Sequence, residues 1–389
     1  MTRPPRVRVP RGSDFTSVLR GPQVASRLGV ALAVAFATTF VTGVFSHYAQ
    51  AEPMPAWVPA RPVWIYRVTQ ATHVLAGTAA IPLLLVKLWS VYPRLFERPD
   101  LRRLRAVMLG LLERVSIAVL VASAIFQLVT GVVNTTAWYP WSFSFRSAHY
   151  AMAWVALGAL VVHIAVKLPV VRSALSADVD AAEPVTGSES VAPGVAVTRR
   201  TLLRASWLSA GVAVLGTAGA SIPWLRDVSV FAVRSGDGPQ GIPVNGSAVE
   251  AGVTRAARDA AWRLVLVNDG RHVELDLAVL QAMPQRQARL PIACVEGWSA
   301  AGTWSGVPVS DLLARVGAPA ASRVRVRSLQ AGWRDEVPAE VAADPLTLLA
   351  LRLEGQTLTL DHGYPCRVIA PGRPGVVQTK WVQRMEVLP

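Results

Sequence analysis

The chain has 389 residues, 52% of them hydrophobic and only 16% charged, with a net charge of +14 and a mean hydropathy of +0.37. A water-surfaced globular protein carries about 25% charged residues; a wholly cytosolic protein is therefore not expected, and neither is disorder, which needs low hydrophobicity. Two cysteines exclude a disulfide-built scaffold and any cysteine-rich zinc or iron–sulfur site.

Residues 1–27 are a basic N-terminal segment with Arg3, Arg6, Arg8, Arg11, Arg20 and Arg27. Four runs, about 28–47, 71–92, 114–134 and 149–171, each supply the ~20 apolar residues that a spanning helix needs. A fifth, about 205–225, is apolar but rich in Ala, Gly and Ser. Arg94, Arg98, Arg102, Arg103 and Arg105 separate the second and third runs. Lys167, Arg172, Arg199, Arg200 and Arg204 separate the fourth and fifth. The other two loops hold only Arg61, Arg67 and Arg146. Cytoplasmic loops collect Lys and Arg, so the N-terminus is expected in the cytoplasm and the C-terminal region outside it. The positive charge thus follows topology. It forms no groove-shaped patch, which argues for a lipid bilayer and against nucleic acid as partner.

The second span begins at His73 and the fourth at His149, so both imidazoles are expected at one level of the membrane. His163 follows His149 by fourteen residues, which returns it to nearly the same helix face, ~21 Å deeper. Lys87 takes the matching place after His73. The first and third spans echo each other in Val41-Thr42-Gly43-Val44 and Val129-Thr130-Gly131-Val132. These features make residues 28–172 a degenerate pair of helix pairs, and the region resembles the four-helix b-type cytochrome membrane family. That resemblance implies haem b with His73 and His149 as axial ligands, and Gly43, Gly77 and Gly131 as room at its edge. His163 is read as a ligand or proton-relay residue, although a second haem has no evident partner for it. His47 is read as a surface residue.

Residues 173–197 form an acidic, Pro- and Gly-containing linker. The fifth span, within 198–226, opens with Thr198-Arg199-Arg200-Thr201-Leu202-Leu203-Arg204, which looks like a twin-arginine signal inside the chain. Such a route moves folded domains. Ala218-Gly219-Ala220 imitates a cleavage site, but the span is expected to stay as an anchor.

Residues 227–389 carry short β-rich runs (262–267, 323–326, 366–369) and an amphipathic helix from Val309 to Val316. A strand leads into Pro291-Ile292-Ala293-Cys294-Val295-Glu296-Gly297-Trp298-Ser299. Asp361-His362-Gly363-Tyr364-Pro365-Cys366-Arg367, Pro371-Gly372-Arg373-Pro374-Gly375 and Gln378-Thr379-Lys380-Trp381 follow. One soft thiolate suits a soft or high-valent metal, and its other ligands must come from an organic cofactor. Arg367, Arg373 and Lys380 would suit a cofactor phosphate. Cys366 reads as a small buried hydrophobe.

This constellation resembles the molybdopterin-binding domain of the sulfite oxidase superfamily, in particular its bacterial sulfoxide-reductase-type branch. The resemblance implies a mixed α+β domain in which Cys294 binds molybdenum beside a single pyranopterin. It implies cofactor contacts at His362, Arg367, Gln378, Thr379 and Lys380, with others at Asn245, Ser247, Ala248 and Ser328. Glu296 is a candidate catalytic proton carrier, or else structural. Animal-type members have a tyrosine where this chain has Leu351, and basic residues where it has Glu296-Gly297-Trp298-Ser299. Sulfite is therefore not the expected substrate. The dimerisation domain that often follows is missing, so the catalytic domain is expected to be monomeric.

The whole reads as a multidomain protein, a four-helix bundle plus a fifth anchoring helix and then the molybdopterin domain. The expected function is oxygen-atom transfer on a small-molecule substrate of the sulfoxide type, outside a bacterial cytoplasmic membrane. Electrons would come from a membrane quinol or cytochrome partner through the haem. The alternatives are the same molybdoenzyme on a haem-free anchor, or a non-catalytic membrane electron-transfer protein.

Overall fold

The computed structural model describes residues 15, 17, 19–96, 104–180, 197–232 and 238–389. Arg3, Arg6, Arg8, Arg11, Arg98, Arg102, Arg103 and most of the linker lie outside the described residues. Five long helices come first: α1 (Pro22–Ala49), α2 (Ile65–Val91), α3 (Leu104–Thr135), α4 (Phe145–Ser176) and α5 (Arg199–Ala218). Each is long and apolar enough to cross a membrane. Their outward side chains are as apolar as their buried ones: Val34, Val41, Leu85, Leu111 and Leu208 are exposed, whereas Leu28, Leu83 and Leu84 are buried. A helix that is hydrophobic all round belongs in lipid or in a large core.

The first four helices start earlier than the apolar runs, because backbone hydrogen bonding continues into polar flanks that hydropathy rejects. The fifth stops at Ala218, short of the expected 225. There the Gly219 N–H bonds to Ser229 Oγ at 2.8 Å. A Cβ on Gly219 would lie 2.7 Å from the Arg226 Cα. The chain folds back through a 3-10 turn at Pro223–Val228, with Pro223 fitting its first position.

Two compact units divide the chain. The first takes residues up to 40, 75–134 and 139–214. Its core joins Val24, Leu28 and Leu32 of α1 with Ala80 and Leu83 of α2, Ala124 of α3, and Leu203 and Ala210 of α5. Two cations in this apolar setting are satisfied: Lys87 donates to the Ala25 carbonyl at 2.7 Å, and Lys167 pairs with Glu113.

The second unit takes residues 41–74, 135–138 and 215–389. Its strands are β1 (Leu264–Asn268), β2 (Arg271–Leu275), β3 (Arg286–Ala293), β4 (Ser299–Pro308), β5 (Val324–Ser328), β6 (Arg334–Val337), β7 (Leu348–Leu353), β8 (Gln356–Thr357), β9 (Arg367–Ile369) and β10 (Val382–Val387). Short helices α6 (Thr254–Ala257), α7 (Leu277–Ala282), α8 (Val309–Arg315) and α9 (Ala339–Ala342) connect them. One sheet runs β2-β1-β10-β5-β6, with β1 and β10 parallel and the other pairs antiparallel. The second runs β3-β4-β7-β8, with β9 also on β7. In β5, Val324 and Val326 are buried while Arg325 and Arg327 turn outward, the period-two pattern of a half-buried strand. One core gathers Leu264, Leu280, Leu312, Val326, Leu349 and Met385. The other gathers Leu290, Ile292, Cys294, Trp304, Leu348 and Ile369.

Candidate active site

β3 and β4 pair from Arg286↔Gly306 to Ala293↔Ser299, so Cys294–Trp298 is the connection of a hairpin. The Cys294 N–H donates to the Trp298 carbonyl at 2.9 Å, and the Gly297 N–H to the Cys294 carbonyl at 3.1 Å. Gly297 has φ +92°, which disfavours a side chain. The turn carries Cys294 into the core, where it is 1% exposed. Glu296 is also buried, its Oε2 accepting the Trp298 indole N–H at 3.0 Å.

Two cations, Arg367 and Lys380, are largely withdrawn from water. Arg367, on β9, is 2% exposed. Its guanidinium donates to the carbonyls of His362 (3.3 Å) and Gln378 (3.2 Å) and lies 5.2 Å from the Trp304 ring. Among the described residues no carboxylate pairs with it. Burial lowers its pKa to about 10. Lys380 donates to the Gly246 carbonyl at 2.9 Å. Burial, and then the charge of Arg367, lowers its pKa to about 7, with Asp361, Cys294 and Glu250 opposing. Gly363 (φ +106°) lies between them: a Cβ there would come 3.0 Å from Arg367 Cβ and 3.1 Å from Lys380 Cβ.

His362 is buried, and its Nε2–H donates to the Pro239 carbonyl at 2.7 Å. Desolvation lowers its pKa to about 4, so the ring is neutral at pH 7. Gln378 and Thr379 are buried, and among the described residues Gln378 Oε1, Thr379 Oγ1, Arg367 Nε and Ser299 Oγ have no hydrogen-bond partner. Ser328 Oγ donates to the Lys380 carbonyl at 2.8 Å. The Ala248 N–H donates to Asp361 Oδ1 at 2.8 Å, the Ser247 N–H donates to Glu250 Oε2 at 2.8 Å, and Asn245 is exposed. The fold therefore brings the 245–248, 328, 361–367 and 378–380 segments together. Lys380 lies within electrostatic reach of Cys294.

Among the described residues Arg367 and Lys380 form no ion pair with a carboxylate, and together with the orphaned buried polar atoms this leaves the site short of an anion and of hydrogen-bonding partners. A phosphorylated, heteroatom-rich cofactor would supply both. Arg373, by contrast, is taken up by another task. It lies 4.0 Å from buried Asp335 and donates to Met54 Sδ (2.6 Å) and the Glu336 carbonyl (3.3 Å). Cys366 is buried, its thiol pKa pushed up by burial, and it is no candidate thiolate.

The histidines of the helices are held in a repeated way. In the second unit Thr42 Oγ1 lies 3.2 Å from His73 Nδ1, and a Cβ on Gly43 would come 3.0 Å from His73 Cε1. In the first unit Thr130 Oγ1 lies 2.9 Å from His149 Nδ1, and a Cβ on Gly131 would come 3.9 Å from His149 Cε1. Each Val-Thr-Gly-Val segment thus seats the histidine of the following helix. A hydroxyl on Nδ1 fixes ring orientation as second partners of ligating imidazoles do. His163 sits half-buried on α4, one turn before Lys167.

Sequence reasoning gave no role to Ser299, Trp304, Asp361, Thr42 or Thr130. The threonines were visible as a repeat but not as hydrogen-bond partners. Asp361 adjoins His362 and could have been suspected as the group that fixes Ala248.

Residues 251–389 match the oxidoreductase molybdopterin-binding domain. A protein of Azospira oryzae named a protein-methionine-sulfoxide reductase subunit, YedZ1, is 34% identical over 31% of this chain and 46% of its own length. The protein-methionine-sulfoxide reductase catalytic subunit MsrP of Xanthomonas axonopodis pv. citri is 28% identical over 28% of this chain and 40% of its own. Nitrate reductase [NADH] 1 of Arabidopsis thaliana is 33% identical over 24% of this chain and 12% of its own. The matches thus span less than half of these relatives.

Proposed function

We propose that this chain, which carries a molybdopterin-binding oxidoreductase domain, is a membrane-anchored molybdenum enzyme that reduces a sulfoxide. The observation that carries the reading is the buried Cys294 within electrostatic reach of Lys380, which, like buried Arg367, forms no ion pair with a carboxylate among the described residues. Residues 227–389 form the catalytic part, 28–172 the helical electron-transfer part, and 198–226 a twin-arginine-type signal kept as an anchor. The N-terminus lies in the cytoplasm and the catalytic part outside it.

Cys294 would hold the metal, and Arg367, Gln378, Thr379 and Lys380 the pterin and its phosphate, with His362, Ser328, Asn245, Ser247 and Ala248 shaping the cradle. When bound, the cofactor supplies oxygen-atom transfer and a two-electron redox change. Neutral His362 donates from Nε2 without adding to the buried charge. Arg367 is steadied by Trp304 and two carbonyls, so a bound anion meets a fixed cation. Glu296 is two residues from Cys294 and holds its carboxyl through the Trp298 indole. It can pass a proton towards a leaving oxygen, since sulfoxide reduction takes two electrons and two protons and releases water. A carboxylate in that place repels an anion such as sulfite and tolerates a neutral sulfoxide.

The electron route proposed is a quinol or cytochrome partner feeding haem b ligated by His73 and His149, with His163 as a proton-relay residue. The equal seating of the two imidazoles by threonine supports it. A haem-free anchor is the competing reading. The test is the full chain, made in a host that assembles the cofactor. Molybdenum, a b-type reduced-minus-oxidised band, and turnover of methionine sulfoxide but not sulfite are expected. Cys294→Ser should remove molybdenum and activity and leave membrane insertion intact. Molybdenum without the band would leave the haem-free anchor. Retained activity in Cys294→Ser would overturn the site.

A further inference from the structure

The Cys294 turn has polar groups that its own hairpin does not satisfy. Their partners come from outside residues 251–389. The Val295 carbonyl accepts the Gln70 Nε2–H at 3.2 Å. The Gly297 carbonyl accepts the Ser221 hydroxyl at 2.5 Å. The Ser299 N–H donates to the Ala220 carbonyl at 2.8 Å. A Cβ on Gly297 would come 2.8 Å from Val74 Cγ2.

Both side chains are themselves held. Gln70 is buried, and its Oε1 accepts the Ser46 hydroxyl at 3.1 Å, which leaves its NH2 to donate to the turn. Ser46 Oγ also lies 2.9 Å from the hydroxyl of buried Tyr66, and the Ser46 carbonyl accepts Gln50 Nε2 at 2.9 Å. Tyr66, Gln70 and Val74 stand four residues apart on α2, on one helix face. His73 is Val74's neighbour in sequence. Ser221 is buried and its N–H bonds to the Ala218 carbonyl, in the last turn of α5, at 3.0 Å. The turn is therefore gripped from two sides, by one end of α2 and by the exit of α5.

We infer that Gln70 and Ser221 are positioning residues for the Cys294 turn, so that residues 66–74 and 218–221 of the second unit complete the proposed metal-binding site. The inference rests on the reading of Cys294 as a metal ligand. Each acts through the backbone of the turn, Gln70 on the Val295 carbonyl and Ser221 on the Gly297 carbonyl. Groups that orient a ligand in this indirect way change affinity or activity by about 10-fold to 100-fold when removed. The grip also places Ala218-Gly219-Ala220 inside the fold, where Ala218 is buried. Cleavage after Ala220 would separate Ser221 from the α5 turn that steadies it.

The test uses the full chain with Gln70→Ala, Ser221→Ala and Ser221→Thr, the last keeping a hydroxyl. Amide hydrogen exchange of residues 295–299 is measured with and without cofactor, together with molybdenum content, the Mo(V) resonance spectrum and sulfoxide kinetics. Both alanine variants should exchange at least about 10-fold faster in this turn alone. They should shift the Mo(V) spectrum and lower kcat by about 10-fold or more while KM changes little. Ser221→Thr should restore all three. Unchanged exchange and an unchanged Mo(V) spectrum in both alanine variants would overturn the inference. Absence of molybdenum from the unaltered chain would overturn the cofactor reading instead, and the exchange measured without cofactor would still decide the grip.

Discussion

Arg367 and Lys380 are cations kept from water with carbonyl oxygens for company. For Lys380, burial lowers the pKa from 10.5 to about 7. The folded state then binds fewer protons than the unfolded state between those two values, so stability rises with pH across that window. In cofactor-free protein this group should add about 2 kcal/mol between pH 7 and pH 9. Thermal melts of Lys380→Met should lack that rise. An anion bound beside Lys380 would raise its pKa again, so cofactor loading should flatten the same curve. Motif and composition pointed to these residues because Arg, Lys and Gly near a Cys suggest an anion site. They could not show that Arg373 faces elsewhere, since its partners Met54 and Asp335 are distant in sequence.

The long helices were legible because a membrane span is defined by composition over ~20 residues, with no tertiary information needed. The turn at Cys294 was legible as a turn, from Gly297 after a strand. Its grip was not, because Gln70 and Ser221 lie 225 and 76 residues from the groups they bind. Gly297→Ala should cost about 1–3 kcal/mol for its positive φ alone, before the contact with Val74. Urea unfolding of the two proteins would measure it. The connection between α1 and α2 offers a second test. Arg61 makes two 2.8 Å bonds to Asp344, and a Cβ on Gly372 would meet the Ala60 carbonyl. Nearby, burial and the neighbouring Glu52 hold the Asp335 carboxyl well above the usual carboxylate range, although Arg373 opposes this. The folded state therefore keeps a proton that the unfolded state has lost, and stability falls as pH rises above the ordinary carboxylate range. Asp335→Asn keeps a donor without the charge and should flatten that fall, as melts from pH 5 to pH 9 would show.

At the scale of the molecule, the proposed topology makes its own forecast. Arg200 lies 3.5 Å from Asp180 and 3.8 Å from Asp178 in an exposed cluster whose net worth is small. Replacing Arg199 and Arg200 together by Lys should therefore leave the fold intact. It should keep residues 227–389 on the cytoplasmic side, shielded from protease added outside the cell. Unchanged external cleavage would remove the export reading. One further consequence follows from the strand order. β10 stands between β1 and β5, yet it is made after every other described strand. Until Val382–Val387 leaves the ribosome, β1–β2 and β5–β6 are separate two-stranded ribbons, each marginal in water. The Gln378–Lys380 segment of the proposed cradle immediately precedes β10, so it too is assembled last. The timetable of synthesis thus sets the order of events: the proposed cofactor site is complete only once Val382–Val387 is in place.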